Sequence, residues 1–330
     1  TGSPWHGDRV IDYLEARASQ GNTRPFMIYL GFSHPHDPRD GPPDLLAKYG
    51  ATNHTHSQSP PTASGRHPQL PINYLPSHPF DMTHANVRDE VAVSGVWFRR
   101  DENTVRNEIG RQFACSEYID QQIGRVLQLL ESLGELENTY VIYTSDHGMA
   151  IGRHGLMGKQ NLYEHSWRVP FVVAGPGIPA GNRVDGNIYL LDLLATLCEL
   201  ADIPVPASSE GRSFKSVLMG ERVNMREELY GVYSGASLPG VRCVKRGRWK
   251  LIRYNSPDRQ VYETQLFDLV SNPDELLEEH REVHVQQLTG NQPAKLQRNL
   301  AGDPNYSEEL TLMEDLLREQ MHQWGDPHLK

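Results

Sequence analysis

The chain has 330 residues and a formal net charge of −10, with 32 Lys and Arg residues against 42 Asp and Glu residues. This balance argues against a nucleic-acid-binding surface, because no broad positive field is present to neutralise phosphates. No apolar run approaches the length of a membrane span, and the N-terminus lacks the order of a signal peptide. The chain is long enough for one large domain and a smaller one.

The first part of the sequence alternates between helical and extended patterns. Apolar residues at helical spacing predict helices over residues 7–18 and 103–133, and apolar runs predict buried strands over residues 25–32 and 140–143. Residues 33–96 are rich in Pro, His, Ser and Asn and show little periodicity. This stretch is too long for a plain connection, and we interpret it as a functional insertion that lines a cleft.

A further strand over residues 168–175 and a helix over residues 189–201 continue the alternation. Repeated helix and strand predict an α/β fold, with a mostly parallel sheet flanked by helices. After Gly211, short segments rich in β-branched and aromatic residues predict a smaller antiparallel sheet; they lie at residues 228–233, 241–246, 249–254 and 264–269. Residues 307–324 form an amphipathic pattern that predicts a terminal helix.

The three cysteines, Cys115, Cys198 and Cys243, are far apart and lack the paired spacing of a metal site. We therefore predict buried thiols.

Three groups of residues that could bind an ion or take part in catalysis follow predicted strands. Asp146 and His147 come directly after the strand at residues 140–143, and Gly148 lets the backbone bend so that both side chains can turn toward one ion. His36 follows the strand at residues 25–32, and Lys159 lies in a glycine-rich stretch. The carboxyl ends of strands at one sheet edge are where open α/β sheets keep their ligands.

Each of these residues also has a simpler interpretation. Asp146 could cap the following turn with His147 merely beside it, His36 could be a solvated loop histidine, and Lys159 could be a surface charge. Their shared position after strands of one predicted sheet favours the functional interpretation.

Four motifs, in a fixed order along the chain, resemble the type I sulfatases of the alkaline phosphatase superfamily. They are Pro-Phe-Met-Ile-Tyr-Leu-Gly-Phe-Ser-His-Pro-His-Asp-Pro at 25–38, Tyr-Thr-Ser-Asp-His-Gly at 143–148, Gly-Arg-His-Gly-Leu-Met-Gly-Lys at 152–159 and Tyr-Glu-His-Ser-Trp-Arg-Val-Pro-Phe at 163–171. Residues 265–269 and 272–275 resemble the C-terminal subdomain of the family. The implied fold is alkaline-phosphatase-like, with a smaller C-terminal antiparallel sheet plus helix.

The resemblance implies roles for individual residues. Asp146 and His147 match half of the family's metal site. His36 matches the histidine that faces the sulfate and the leaving group, and Lys159 matches the lysine that binds the sulfate. Arg153 and His154 belong to the third motif, where they contact substrate or support the site without being catalytic.

The implied cofactors are a divalent cation and a formylglycine. Ca²⁺ is the ion expected from the family, whereas the imidazole of His147 leaves Mn²⁺ open. The family's acidic ligand pair and its formylglycine motif are absent from this sequence, and none of the three cysteines fits that motif. We therefore predict a sulfatase catalytic domain over residues 1–222 that lacks its N-terminal part, followed by a C-terminal α+β subdomain over residues 223–330. By itself, this chain is predicted not to turn over sulfate esters.

The predicted function of the parent protein is hydrolysis of a sulfate monoester on a small molecule or oligosaccharide, with a sulfated carbohydrate as the favoured substrate. One alternative is a phosphonate monoester or phosphodiester hydrolase of the same superfamily, and another is a noncatalytic relative that binds anions. The resemblance suggests a periplasmic or secreted location. The charge and the apolar pattern predict no nucleic-acid partner and no membrane span.

Overall fold

A computed structural model describes residues 2–36, 38–53, 60–81, 99–234 and 239–328 of the chain. The helices of these residues, in chain order, are α1 (Ser3–Ser19), α2 (Pro43–Lys48), α3 (Glu102–Ser132), α4 (Glu164–Trp167), α5 (Leu193–Leu200), α6 (Lys215–Leu218), α7 (Val283–Thr289) and α8 (Ser307–Gln323). The strands are β1 (Val141–Thr144), β2 (Phe171–Ala174), β3 (Glu228–Tyr233), β4 (Gly240–Arg246), β5 (Trp249–Ser256) and β6 (Val261–Asp268). Short 3₁₀ turns lie at Leu136–Asn138, Leu190–Asp192, Pro257–Arg259, Glu278–Arg281 and Pro304–Tyr306.

The chain divides into two compact units, which are described separately. Unit 1 comprises Thr1–Thr139, Met149–Lys159 and Glu279–Gln292, and unit 2 comprises Tyr140–Gly148, Gln160–Glu278 and Pro293–Lys330. The predicted boundary of the family subdomains after residue 222 is a different kind of division and stays a prediction.

In unit 1, the helices α1 and α3 pack against each other through one apolar core. Val10, Leu14 and Leu130 are buried there. Asp101 caps the start of α3, since its carboxylate accepts a hydrogen bond from the backbone N–H of Thr104 at 2.9 Å. The prediction of a long helix over residues 103–133 is therefore confirmed within one residue at each end.

Residues 25–32 are extended, but among the described residues they join no strand ladder, so the strand predicted there is not formed. Phe26, Ile28 and Leu30 pack against the core of α1 and α3. Met27 and Tyr29 point the other way and are 74% and 87% exposed. One face of the segment is thus held by helices, while no described strand pairs with its backbone.

In unit 2, the strands β3 to β6 form an antiparallel sheet in chain order, as the sequence predicts. The helix α8 covers the sheet with Met313 and Leu316, which pack against Val244, Leu251 and Leu266. Alternate apolar residues on the strands and the apolar side of the helix form this core. The predicted terminal helix is confirmed as well.

The strands β1 and β2 also belong to unit 2 and pair with each other. Their ladder is antiparallel and runs from Val141 opposite Ala174 to Thr144 opposite Phe171. Both sheets of the described residues are therefore antiparallel, which corrects the prediction of mostly parallel pairing. The chain returns to β2 through turns and the four-residue helix α4, whereas parallel neighbours need a long crossover connection that usually contains a full helix.

The predicted insertion at residues 33–96 contains α2, while residues 37, 54–59 and 82–96 of it lie outside the described residues. Its role in lining a cleft stays a prediction. All three cysteines are buried free thiols, as predicted. Within the described residues, no helix combines the length and the apolar character that crossing a membrane would need.

Candidate active site

Asp146 and His147 form a tight turn at the end of β1 in unit 2. Their side chains are 83% and 33% exposed, and Oδ2 of Asp146 lies 3.2 Å from Nε2 of His147. The backbone N–H of His147 donates to Oδ1 of Asp146 at 3.0 Å. The hydroxyl of Ser145 donates to the carbonyl oxygen of His147 at 2.8 Å, which closes the turn. The two predicted metal ligands are therefore brought together.

The imidazole of His147 is oriented by the next residue. Its Nδ1 lies 2.9 Å from the carbonyl oxygen of Gly148. A carbonyl oxygen only accepts hydrogen bonds, so Nδ1 of His147 is the donor in this contact. Gly148 is fixed in turn, because its N–H donates to the carbonyl of Ser166 in α4 at 2.9 Å.

The donor set at this turn fits a divalent cation. A metal-binding histidine usually donates the N–H of its other ring nitrogen to a carbonyl, a carboxylate or water, as Nδ1 of His147 does to the carbonyl of Gly148. Metal bonds of ~2 Å place neighbouring ligand atoms ~3 Å apart, close to the distance between Nε2 of His147 and Oδ2 of Asp146. In the part of the chain that the structure describes, no group of three or more His, Cys, Asp or Glu side chains forms a candidate metal site. The metal-binding role of Asp146 and His147 therefore stays a prediction.

In unit 1, His36 lies in an exposed turn, where its backbone N–H donates to the carbonyl of Ser33 at 3.0 Å. The segment that follows His36 is anchored by a buried ion-pair cluster. Arg39 donates to Glu108 at 3.0 Å, and Arg111 donates to the other carboxylate oxygen of Glu108 at 2.8 Å. Nε of Arg111 also donates to the carbonyl of Arg39 at 3.1 Å. This cluster fixes the backbone three residues beyond His36.

The third motif forms a closed turn in unit 1. Backbone hydrogen bonds join Ala150 to Gly158 at 3.0 Å and Gly152 to Leu156 at 2.7 Å. Arg153 folds back on this turn, since its guanidinium donates to the carbonyl of Ala150 at 3.0 Å. The half-buried Lys159 follows directly after the turn closes, so its position is set by these bonds.

His154 lies inside this turn and is fully buried. Its backbone N–H donates to the carbonyl of Asn73 at 2.7 Å, and its carbonyl oxygen accepts from Nδ1 of His78 at 2.8 Å. The ring of His280 packs edge-on against it at 5.3 Å. Burial lowers the pKa of His78 to about 4, so this imidazole is neutral at pH 7. The burial of His154 favours support of the turn over direct contact with substrate.

The predicted site residues thus fall into two groups. His36, Arg153, His154 and Lys159 belong to unit 1, and Asp146 and His147 belong to unit 2. Each group is held by hydrogen bonds or buried charges from its own unit. The catalytic and binding roles of these residues stay predictions.

Sequence reasoning missed a group of charged residues beneath the metal-ligand turn. Lys250 is fully buried, with Nζ 2.7 Å from Glu275 and 2.9 Å from Glu164. Although burial acts to raise it, the charges of Lys250 and Lys245 hold the pKa of Glu164 down at about 2. Glu164 and Glu275 both lie in segments that resemble the sulfatases, which is the one sequence signal that points to them.

Two family models match the chain. The model described as sulfatase matches residues 7–203, and the model described as N-sulphoglucosamine sulphohydrolase, C-terminal, matches residues 152–302. Arylsulfatase K of Bos taurus is 30% identical over 283 residues, which covers 82% of this chain and 50% of that protein. The chain therefore spans about half the length of the curated relatives that it matches.

Solved structures share the fold. A protein in complex with its substrate, D-glucosamine-2-N,6-O-disulfate, superposes with a TM-score of 0.66 at 21% identity, covering 99% of this chain and 71% of the other. The phosphonate monoester hydrolase of Agrobacterium radiobacter superposes with a TM-score of 0.65 at 16% identity, covering 95% and 60%. These likenesses confirm the alkaline-phosphatase-like α/β class and the C-terminal antiparallel sheet. Because the sulfatase model matches more than half of its residues, the chain belongs to the sulfatase family.

Proposed function

We propose that the protein hydrolyses the sulfate monoester of a carbohydrate. The observation that carries this proposal is the turn at Asp146 and His147, where a carboxylate oxygen and an imidazole nitrogen lie 3.2 Å apart and the other ring nitrogen is held by a carbonyl oxygen. Family membership supplies the reaction class. The carbohydrate is supported by the second family model, whose name refers to sulphoglucosamine, and by the glucosamine disulfate bound to a relative of the same fold.

In this proposal Asp146 and His147 hold a divalent cation. When bound, the cation supplies positive charge to the oxygens of the sulfate group. Lys159 contributes an ammonium group that binds the sulfate, and His36 donates a proton to the departing alcohol. Arg153 and His154 support the turn that ends at Lys159.

Ca²⁺ is the ion that we propose, because the family typically uses it. The imidazole of His147 also suits Mn²⁺, since nitrogen ligands favour transition metals over calcium. A titration of the two ions into the same protein separates these possibilities.

Cys115 and Cys243 do not suit the role of a nucleophile. Burial raises the pKa of Cys115 to about 11 and the pKa of Cys243 to about 12. Such thiols carry almost no thiolate at neutral pH and lie away from solvent. No step is therefore assigned to either thiol. A periplasmic or secreted location is part of the proposal and is supported by the family resemblance alone.

The test is turnover by the full-length product of the gene that encodes this chain. We expect release of sulfate from 4-nitrophenyl sulfate and from glucosamine 6-sulfate, and loss of this activity in Asp146→Asn. Asp185→Asn is a matched control, since Asp185 is also an exposed carboxylate of unit 2. Equal activity of Asp146→Asn and the unmodified protein would overturn the role of Asp146 in the proposed site.

The second candidate is a phosphonate monoester hydrolase, which the superposition with the Agrobacterium enzyme favours. Faster turnover of phenyl methylphosphonate than of any sulfate ester would support it against the sulfatase. Binding of sulfate without turnover of either ester would indicate an anion-binding relative.

A further inference from the structure

A buried charge network lies between the C-terminal sheet and the helix α4 in unit 2. Lys250 on β5 is fully buried and pairs with Glu275 at 2.7 Å and with Glu164 at 2.9 Å. Lys245 on β4 pairs with the second oxygen of Glu164 at 3.1 Å. The network therefore joins two carboxylates with two ammonium groups. Each buried charge has a partner of the opposite sign, which offsets the cost of removing it from water.

This network contacts the helix α4 at both ends. At the start of the helix, Oε2 of Glu275 accepts a hydrogen bond from the backbone N–H of Glu164 at 2.6 Å. At its end, the ring of Trp167 lies 5.3 Å from the ammonium of Lys250. The helix has only four residues, too few to be stable without tertiary contacts. Its position is therefore determined by what it touches.

The other side of α4 touches the metal-ligand turn. The carbonyl of Ser166 accepts the N–H of Gly148 at 2.9 Å. The two segments approach so closely that a Cβ at residue 148 would lie 1.9 Å from the carbonyl oxygen of His165. The carbonyl of Gly148 then receives the Nδ1 proton of His147. A continuous path of contacts thus runs from the buried network to the imidazole ring.

We propose that Glu164, Lys250 and Glu275 are positioning residues that orient the imidazole of His147 through α4 and Gly148. This inference rests on the proposed function, because it concerns the same two metal ligands. The three residues act through α4. They hold the backbone whose carbonyl, at Gly148, accepts the Nδ1 proton of His147 and so sets the direction of its ring.

A network of this kind could instead serve stability alone, and a matched substitution separates the two roles. Asp192 is a buried carboxylate of unit 2 that pairs with Arg226 and accepts hydrogen bonds from the backbone N–H groups of Tyr189 and Arg212. The variant Asp192→Asn makes the same chemical change as Glu164→Gln in a pair that lies outside the path to His147.

The first measurement needs neither metal nor turnover. In the 330-residue chain, NMR follows the hydrogen exchange of the Gly148 amide and the ring nitrogens of His147. In Glu275→Gln and Glu164→Gln we expect the Gly148 amide to exchange at least about tenfold faster, and the Nδ1-protonated form of His147 to become mixed with the other tautomer. Asp192→Asn leaves both signals unchanged.

Unchanged exchange at Gly148 and an unchanged tautomer of His147 in a folded Glu164→Gln would overturn the proposal. Glu164→Gln is the milder variant, because it leaves the pair of Lys250 and Glu275 intact. It decides the question if Glu275→Gln does not fold.

The second measurement separates this inference from the proposed function. Mn²⁺ is titrated into the same variants and its free concentration is followed by electron paramagnetic resonance. Positioning residues of metal-binding histidines typically change affinity by 10–100-fold, so we expect a loss of about tenfold in Glu164→Gln. Asp146→Asn loses more, because it replaces a charged carboxylate ligand with a neutral amide. If Asp146→Asn binds Mn²⁺ like the unmodified chain, the proposed metal site is wrong, whatever the exchange rate of the Gly148 amide. If Asp146→Asn weakens binding but Glu164→Gln does not, the metal site stands and the positioning role is wrong.

Discussion

Both units place buried ion pairs directly behind a predicted site loop, but they build them differently. In unit 1, Glu108 and Arg111 lie one turn apart on α3 and hold Arg39, so most of the cluster is local to one helix. In unit 2, Lys250 lies on β5 and Glu275 lies in a distant loop. Both contact a third segment, the helix α4. A mostly local cluster depends mainly on its helix, whereas we expect the distributed network to transmit a change in one segment to the others.

The largest effect is expected in unit 1. Glu108→Gln removes the carboxylate that the buried guanidinium groups of Arg39 and Arg111 share, although Asp40 still pairs with Arg111 at 3.1 Å. We expect a loss of about 3 kcal/mol in the free energy of unfolding. Urea titration followed by NMR signals of α3 measures it. Glu117→Gln is the control, since its partner Lys48 is largely exposed, and it should change the stability little. Equal effects of the two variants would contradict the difference between a buried and an exposed pair.

An intermediate effect is expected from two glycines, one in each unit. In Gly148→Ala the new Cβ would lie 1.9 Å from the carbonyl oxygen of His165, and in Gly155→Ala it would lie 2.1 Å from the backbone of Ser77. We expect about 1–3 kcal/mol of destabilisation for each from overpacking, measured by urea titration. Gly155 also has a φ of 72°, which adds strain for alanine.

The two glycine variants differ in what they disturb. Gly148→Ala alters the ring signals of His147 and leaves those of His154 unchanged, while Gly155→Ala does the reverse. The same NMR spectra check both statements. Ring signals that respond equally to both variants would show that the two turns are not held independently.

The smallest effect concerns the order in which the two units lose stability as the pH falls. Burial lowers the pKa of His78 in unit 1 from 6.5 to about 4, so the unfolded chain takes up the proton first and stability falls as the pH drops from 6.5 toward 4. Burial acts to raise the pKa of Glu164 in unit 2, but its lysine partners lower it from 4.5 to about 2. Its contribution is present above pH 4.5 and is lost as the pH falls toward 2.

Unit 1 is therefore expected to lose stability at a higher pH than unit 2. Urea titrations at pH 7, 5 and 3, followed by NMR signals assigned to each unit, measure the order. His78→Gln keeps a donor for the carbonyl of His154 and should reduce the change of unit 1 between pH 7 and 5. Earlier loss of unit 2 would contradict the assignment of these groups.

Local patterns were sufficient to predict most elements of secondary structure. The helix α3 and the four strands β3 to β6 follow from apolar periodicity, because each buries one face against its own neighbours. Residues 25–32 have the same kind of pattern and an apolar face that packs, yet no described strand lies beside them. A pattern predicts which face is buried; it does not supply the partner for the backbone.

The candidate site was predictable only in part. The residues at its turns were identified by resemblance to the sulfatases, and their roles stay predictions. The network behind Asp146 and His147 joins Glu164 to Lys250, 86 positions away, and to Glu275, 111 positions away. No local pattern encodes such pairs. The tautomer of His147 depends on a single hydrogen bond to Gly148 and becomes visible only in three dimensions.

The extended segment at residues 25–32 has a practical consequence for anyone who purifies this chain. Met27 and Tyr29 cover its outer face with a thioether and an aromatic ring, and its backbone joins no ladder among the described residues. Exposed apolar side chains on a backbone that pairs with none of the described strands favour the addition of a second polypeptide. Concentrated solutions are therefore expected to scatter light and to brighten hydrophobic dyes, and dilution or a charged residue in place of Tyr29 should suppress both.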